Sequence, residues 1–525
     1  MVSKYLKKKP KLLVLYFAIV CFLTFTLPVW ADEKIDQTPV LNEAKDTTSK
    51  NLQIVSDELL NFEKKAFQES DKTYSIKPLV LNSAIEVNAL KPIHLDSQYD
   101  EVITLERALK YALRNSLNIR ISKENWNFQH YTLLSTIASA LPNNYLSYNL
   151  TNSNLLNIGS TAFSRVFQSR QSFPVFQGGA VVYGILGQLY RNNGWKEMYF
   201  ANVNDSLLDV YIKYTNLVLN HALLQVRAQA VAVSMDQLNL NKALFKQGTG
   251  TNFAVMQAQT QLANDRQAYL QQQLLNRQAS LALAFALNYP LAVNLIPAEN
   301  VISDANLIKS DIAINKLTNL AHTYRHELKE FEQFRLSANR NIQSAMAPLY
   351  PTISFFTLYS YVNTTSTVAS SSGTSGAGVF GGLYKEFQMG LSLTWTPPAF
   401  GLQNVANTLG AKALARQAQF QANQELQLVR QQIRTDYVNL QQARNQIETA
   451  QYNLNTASEE LRLARLRFKI GSGSNVELNQ ARSDYNNAQI SKLQTIIAVN
   501  QAQVQLLHDV GVISLESLLH GYKYN

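Results

Sequence analysis

The sequence repeats itself at an offset of 223. "LFKQGTGTNFAVMQA" (residues 244–258) returns as "RFKIGSGSNVELNQA" (467–481), with Phe245, Lys246, Gly248, Gly250, Asn252, Gln257 and Ala258 matched by Phe468, Lys469, Gly471, Gly473, Asn475, Gln480 and Ala481. The same offset pairs Tyr214 with Tyr437, Leu217 with Leu440, Leu238 with Leu461, Pro174 with Pro397 and Gly178 with Gly401. A repeat of this length means that one supersecondary unit is built twice, at residues 101–288 and 312–511. A linker at 289–311 and a tail at 512–525 complete the plan.

Each unit opens with a helical pattern, "TLERALKYALRNSLNIR" from Thr104 and "INKLTNLAHTYRHELKEFEQF" from Ile314, running towards Pro142 in one case and Pro348 and Pro351 in the other. Strand patterns follow. In "FQMGLSLTW" (387–395), Phe387, Met389, Leu391, Leu393 and Trp395 alternate with polar or small residues, which specifies one apolar and one polar face. "YLSYNLT" (145–151) and "TISFFTLYSYV" (352–362) alternate less cleanly, and "FSRVFQSRQSF" (163–173) is the poorest strand pattern. "NSNLLNIGS" and the Ser/Thr/Gly-rich stretch at 363–382 read as the loops between strands.

Long helices then take over. Leu440, Ala443, Ile447, Ala450, Leu454, Ala457, Leu461, Ala464 and Phe468 step by three and four without a miss. This period of 3.5 is that of a left-handed coiled-coil seam. The first unit repeats it from Val203 through Tyr214, His221 and Met235 to Phe245, with Lys242 as the one step that is not apolar. At ~1.5 Å per residue these rods are roughly 100 Å long. Gly248 and Gly250, like Gly471 and Gly473, stop the rod and reverse the chain. Thr251 or Asn252, and Ser474 or Asn475, then cap the returning helix, which in the second unit runs to about Asp509. Both units therefore end in the exposed tip of a helical hairpin.

The amino terminus reads as a leader. Lys4, Lys7, Lys8, Lys9 and Lys11 precede an apolar run over residues 12–27, and Val29 and Ala31 offer a cleavage site after Ala31, giving a signal peptide at 1–31. Its removal takes five lysines from a formal charge of +10, along with the single cysteine, Cys21. The remaining chain has no thiol chemistry, and nucleic-acid binding loses its electrostatic basis. Residues 32–100 form a mixed-charge extension with a short helical pattern at 52–67.

Four strands per chain cannot close a membrane barrel, whose minimum is about eight, whereas three chains supply twelve strands around an open lumen. A homotrimer is the simplest closed solution. The competing reading is a secreted coiled-coil stalk; the alternating strands and the recurring strand-hairpin-helix order argue against it. His322 and His326 have the spacing of a metal pair, but no third ligand lies nearby in sequence. No P-loop, dinucleotide fingerprint or nucleophile–base constellation is present, so neither enzyme activity, cofactor nor metal is expected. Tyr359, Tyr361, Tyr384 and Trp395 are candidates for an interfacial aromatic belt or for core packing.

The order of these features resembles the TolC-type outer-membrane efflux proteins over residues 105–511. The resemblance is carried by "ITLERALKYALRNSLNIR", by Leu141 and Pro142, by "FPVFQGG" (173–179) and by the two tips. It implies a mainly α protein with a membrane β-barrel: a trimeric twelve-stranded barrel in the outer membrane, continued by an α-helical periplasmic tunnel. It implies a periplasmic adaptor and an inner-membrane pump as partners. Carried across, the adaptor-docking tips fall on Lys246, Gly248, Thr249, Gly250 and Thr251, and on Lys469, Gly471, Ser472, Gly473 and Ser474. The periplasmic aperture falls near Glu477 and Gln480. Gln480 and Ala254 stand where the family often has acidic residues, and Gly473 replaces a frequent basic partner, so the pattern of a full ionic gate is incomplete. Glu477 reads either as a ring carboxylate or as a solvated first-turn acid favoured by the helix dipole.

Overall fold

In the computed structural model of the chain, residues 99–155, 160–299, 305–308, 312–368 and 378–522 are described, with side chains at 153–162 and 366–380 excepted. Residues 1–98, where a leader and an extension are expected, and the centres of both strand loops lie outside the described residues.

Each repeat opens with two helices where the sequence pattern predicts one. The first repeat has α1 (Leu105–Asn115) and α2 (Leu117–Ala138); the second has α5 (Ile314–Tyr324) and α6 (His326–Met346). The breaks fall at Ser116 and Arg325, whose ψ values of 126° and 121° leave the helical region. Both residues are buried, and the break sits at the same place in each repeat, so it is part of the duplicated design. It also separates His322 from His326, which instead approaches Glu197 with its Nδ1 at 2.7 Å.

Four long strands follow: β2 (Asn143–Leu155), β3 (Ser160–Gln177), β5 (Thr352–Val368) and β6 (Gly378–Thr394). They form one antiparallel sheet in the order β2-β3-β5-β6, so the two repeats meet at the β3–β5 pair. The register sorts the side chains. Leu146 and Tyr148, Phe167 and Phe173, Phe355 and Tyr359, and Phe387, Met389, Leu391 and Leu393 share one face. Ser147, Gln168, Arg170, Ser360, Glu386, Gln388 and Ser392 share the other. "FSRVFQSRQSF" belongs to an 18-residue strand despite its weak pattern, because it is hydrogen-bonded along both edges. Of the four aromatic candidates, Tyr359 and Tyr361 lie half-buried on the apolar face, while Tyr384 and Trp395 are exposed.

The sheet runs into the rods. α3 (Ala180–Lys246) and α7 (Leu402–Lys469) have 67 and 68 residues, and α4 (Asn252–Leu287) and α8 (Asn475–Asp509) return along them. The returning helices are about half as long, and α2 and α6 cover the other half of the rods. Every seam residue of α7 from Leu440 to Phe468 is buried or half-buried. In α3 the expected seam fails near its end: Met235 and Phe245 are exposed, while Ser234, Gln237 and Asn241 are buried. The reason lies in their partners, since Gln237 accepts from Arg482 at 3.1 Å and Asn241 donates to the Ala254 carbonyl at 3.2 Å.

The main core lies where the returning helices end. Leu109, Leu217, Leu283, Leu287, Ile433 and Leu507 meet there, all nearly inaccessible. A short parallel pair, β1 (Tyr99–Ile103) with β4 (Val293–Pro297), closes over it. A final short helix, α9 (Leu515–His520), contributes Leu518. Within the linker, Leu307 and Ile308 are anchored, since Gln503 accepts from their amides at 2.8 and 3.1 Å. Among the described residues no helix is long and apolar enough to cross a membrane.

Candidate functional site

The hairpin tips are built bond for bond alike. In the first, the Thr249 and Gly250 amides both donate to the Leu244 carbonyl, at 3.0 and 2.9 Å. In the second, the Ser472 and Gly473 amides both donate to the Arg467 carbonyl, each at 3.0 Å. Gly248 and Gly471 sit at φ of 75° and 77°, the left-handed conformation that terminates a helix and satisfies its last carbonyls. Gly250 and Gly473 are required for a different reason. Their φ is ordinary, but a Cβ there would stand 2.9 Å from the amide nitrogen of Phe245 or Phe468. Thr251 and Ser474 are the N-caps, accepting from the Ala254 amide at 3.2 Å and the Glu477 amide at 3.1 Å.

The tips present an exposed surface that is partly apolar. Phe253 and Ile470 are 75% and 70% exposed, and Met256 and Val476 lie beside them. Lys246, Gly248, Thr249 and Thr251 in one tip, and Lys469, Gly471, Ser472 and Ser474 in the other, are exposed around this apolar centre. Gly250 and Gly473 are half-buried beneath the turn. Such a surface can dock another protein without changing its own fold.

The chemistry of the two tips differs at two positions. Arg467 Nη1 lies 2.6 Å from Glu477 Oε1, an ion pair across the turn, whereas the first repeat has Leu244 and Ala254 at these places. Glu477 is therefore a first-turn carboxylate with a basic partner from its own hairpin. Sequence reasoning passed over Arg467, although its place across the turn from Glu477 was a readable signal. Gln480 donates to both Asp484 oxygens at 3.1 Å, so the next carboxylate along the helix is one turn further from the tip.

The two hairpins are also tied to each other. Asn475 Nδ2 donates to Gln257 Oε1 at 3.1 Å, and Arg482 donates to Gln237 two turns further up. Beyond that lies a polar cavity of about 90 Å³, lined by Arg227, Ser234, Gln261, Asp265, Arg465 and Arg482. Ser234 bonds Asp265 within it. Burial pushes the Arg482 guanidinium down, and Arg465 adds to the effect against the pull of Asp265. A cationic group held this way weakens the contact between hairpins more than an apolar one would.

Residues 317–512 match the outer membrane efflux protein family. No curated protein matches the chain by sequence. The fold is similar to that of the transmembrane channel CusC, with 19% identity, a TM-score of 0.67 and coverage of 78% of this chain and 92% of that one. It is similar to the Campylobacter jejuni CmeC outer membrane channel at 16% identity and a TM-score of 0.66, covering 78% and 85%. The open-state Neisseria gonorrhoeae MtrE outer membrane channel is similar at 17% identity and a TM-score of 0.61, covering 78% and 89%.

Proposed function

We infer that this chain, an outer membrane efflux protein by its second repeat and of TolC type by its fold, is an outer-membrane channel that passively conducts substrates from an inner-membrane pump to the exterior. One observation carries the reading. A four-stranded sheet with an apolar and a polar face, whose β2 and β6 edges have no partner among the described residues, continues directly into rods of 67 and 68 residues. An open edge is satisfied by another strand, and in a membrane a sheet satisfies every backbone group only as a closed barrel. Three copies joined β6 to β2 give twelve strands with the apolar face towards lipid and the polar face towards a lumen.

In this reading the rods form a periplasmic tunnel and the six tips of the trimer form its inner end. A periplasmic adaptor docks on the tips and opens an aperture near Glu477 and Gln480. The system is a tripartite efflux or type I secretion assembly, and the pump performs the selection and supplies the energy. No step of the channel's work is catalytic.

Single-channel recording in planar bilayers tests this, with wild type beside Glu477→Ala and Arg467→Ala. A small conductance whose cation preference falls in Glu477→Ala and rises in Arg467→Ala supports a conduit constricted at the tip. Conductance indifferent to both substitutions removes the tip from the constriction. Folded trimers without conductance, even after tip residues are truncated, overturn the channel reading.

A further inference from the structure

Far from the tips, where α3, α6 and α8 converge, lies a cluster that conduction does not use. His508 on α8 is buried, with its side chain 9% exposed. Its Nδ1 faces Asp509 Oδ1 at 2.8 Å, and its Nε2 faces Asp205 Oδ1 on α3, also at 2.8 Å. Glu327, on the first turn of α6, completes the group: one ligand atom each from Asp205, Glu327 and His508 lie within 4.8 Å of one another. The three residues are distant in sequence and come from both repeats, which hides them from any motif.

We propose that Asp205, Glu327 and His508 form a binding site for a divalent transition-metal ion of borderline character, zinc being the type, that clamps the first repeat to the second. The donor set is one imidazole nitrogen and two carboxylate oxygens, which suits zinc and leaves at least one position for water. Donors about 2.0–2.1 Å from one zinc ion stand roughly 3.3 Å apart in a tetrahedron, so the group needs only side-chain adjustment.

Three features favour an ion over a plain salt bridge. Asp509 Oδ1 lies 2.8 Å from His508 Nδ1, so when an ion takes the place of the Nε2 proton Asp509 keeps the Nδ1–H and orients the ring, the carboxylate–histidine–metal arrangement. Asp509 is itself held, since Arg325 Nη1 donates to its backbone carbonyl at 3.0 Å. The Asp205 side chain is 57% exposed, so an ion has a path from solvent to a ligand set whose histidine is buried. Glu327 already has Arg325 Nε at 3.4 Å, but a carboxylate can keep that contact on one oxygen and offer the other. Without an ion, an imidazolium bridging Asp205 and Asp509 satisfies the same distances; binding replaces the Nε2 proton with the metal and releases that proton to solvent.

The test uses the full trimer in detergent, stripped with chelator and titrated with zinc by calorimetry and thermal unfolding. The expected result is one zinc per protomer and a raised unfolding temperature. X-ray absorption of the loaded protein is expected to report a shell of one imidazole among oxygens. Asp205→Asn, an exposed and near-isosteric change, keeps the fold if His508→Gln does not. Loss of an outer-shell group alone costs about 10–100-fold in metal affinity, so loss of this ligand is expected at or above that range. Zinc binding with unchanged stoichiometry and affinity in Asp205→Asn and Glu327→Gln overturns the proposal, as does a wild type that takes up no zinc. Calcium binding as tightly as zinc overturns the assignment of the imidazole as a ligand.

Discussion

Asn475 donates to Gln257 at 3.1 Å, and the residues in their places in the other repeat are Asn252 and Gln480. The repeat therefore defines a counterpart pair, Asn252 with Gln480. In the proposed trimer, a ring of six hairpins, the contact between hairpins of one protomer is expected to be repeated, in near-equivalent form, between protomers. Asn252 of one chain is expected to meet Gln480 of the next. Cysteines at 252 and 480 should give a disulfide-linked trimer on oxidation, whereas cysteines at 257 and 475 should cross-link within a chain. Non-reducing gels read both outcomes, and intramolecular linkage by the first pair would remove the quasi-equivalent ring.

The two glycines of a tip are expected to differ in an order opposite to their backbone angles. Gly471→Ala places Ala at positive φ in open space and costs about 1–2 kcal/mol. Gly473→Ala sets a methyl 2.9 Å from the Phe468 amide nitrogen, so the turn itself must shift. Amide exchange at Glu477 and Leu478 should rise more in Gly473→Ala. Equal exchange in both variants would refute the close-approach account.

Along the rods, Gly194 lets α3 approach α6, since a Cβ there would lie 2.5 Å from the Phe334 ring. Gly194→Ala is expected to destabilise by about 1–3 kcal/mol, the usual range for overpacking. Phe334→Leu in the same chain should recover part of that loss. The unfolding temperatures of the single and double variants check the coupling.

Glu330 on α6 gives the stability of the fold a pH slope. Burial, then the charges of Glu327 and Glu425, push its carboxyl from 4.5 up to about 7. The folded state therefore holds this proton longer than the unfolded chain, and stability falls as pH rises from about 4.5 to 7. In chelator, Glu330→Gln should flatten that slope and be the more stable form above pH 7. A variant with the wild-type slope would place the origin elsewhere.

The duplication, the tips and the α7 seam were legible because each is a local or periodic signal. Leu461, Ala464 and Phe468 keep their 3.5 period from sequence to structure because they pack on Leu478, Ala481 and Tyr485 of their own hairpin, while Leu440 and Ala443 keep it within the main core. The α3 seam was misread near Met235 because its polar neighbours Gln237 and Asn241 are buried by partners on α8 and α4 that no periodicity announces. The β1–β4 pair was missed for a similar reason: five residues at Tyr99–Ile103 find their match at Val293–Pro297. At the tip, Glu477 was legible as a candidate while its partner Arg467, across the turn, was not considered. The Asp205–Glu327–His508 group could not be read at all, since only the convergence of α3, α6 and α8 creates it.

The pairing of β3 with β5 has a consequence for how the molecule comes into being. Between these strands run both helices of the first hairpin, the β4 segment and the two opening helices of the second repeat. A nascent chain therefore displays β3 with one edge unsatisfied until the second repeat has been made and has folded back. Contacts so remote in sequence are slow to form, and an open strand invites the wrong neighbour while it waits. The first repeat, though a full copy of the unit, is not an independent folding unit in its sheet. A chain truncated after the first hairpin should aggregate rather than insert.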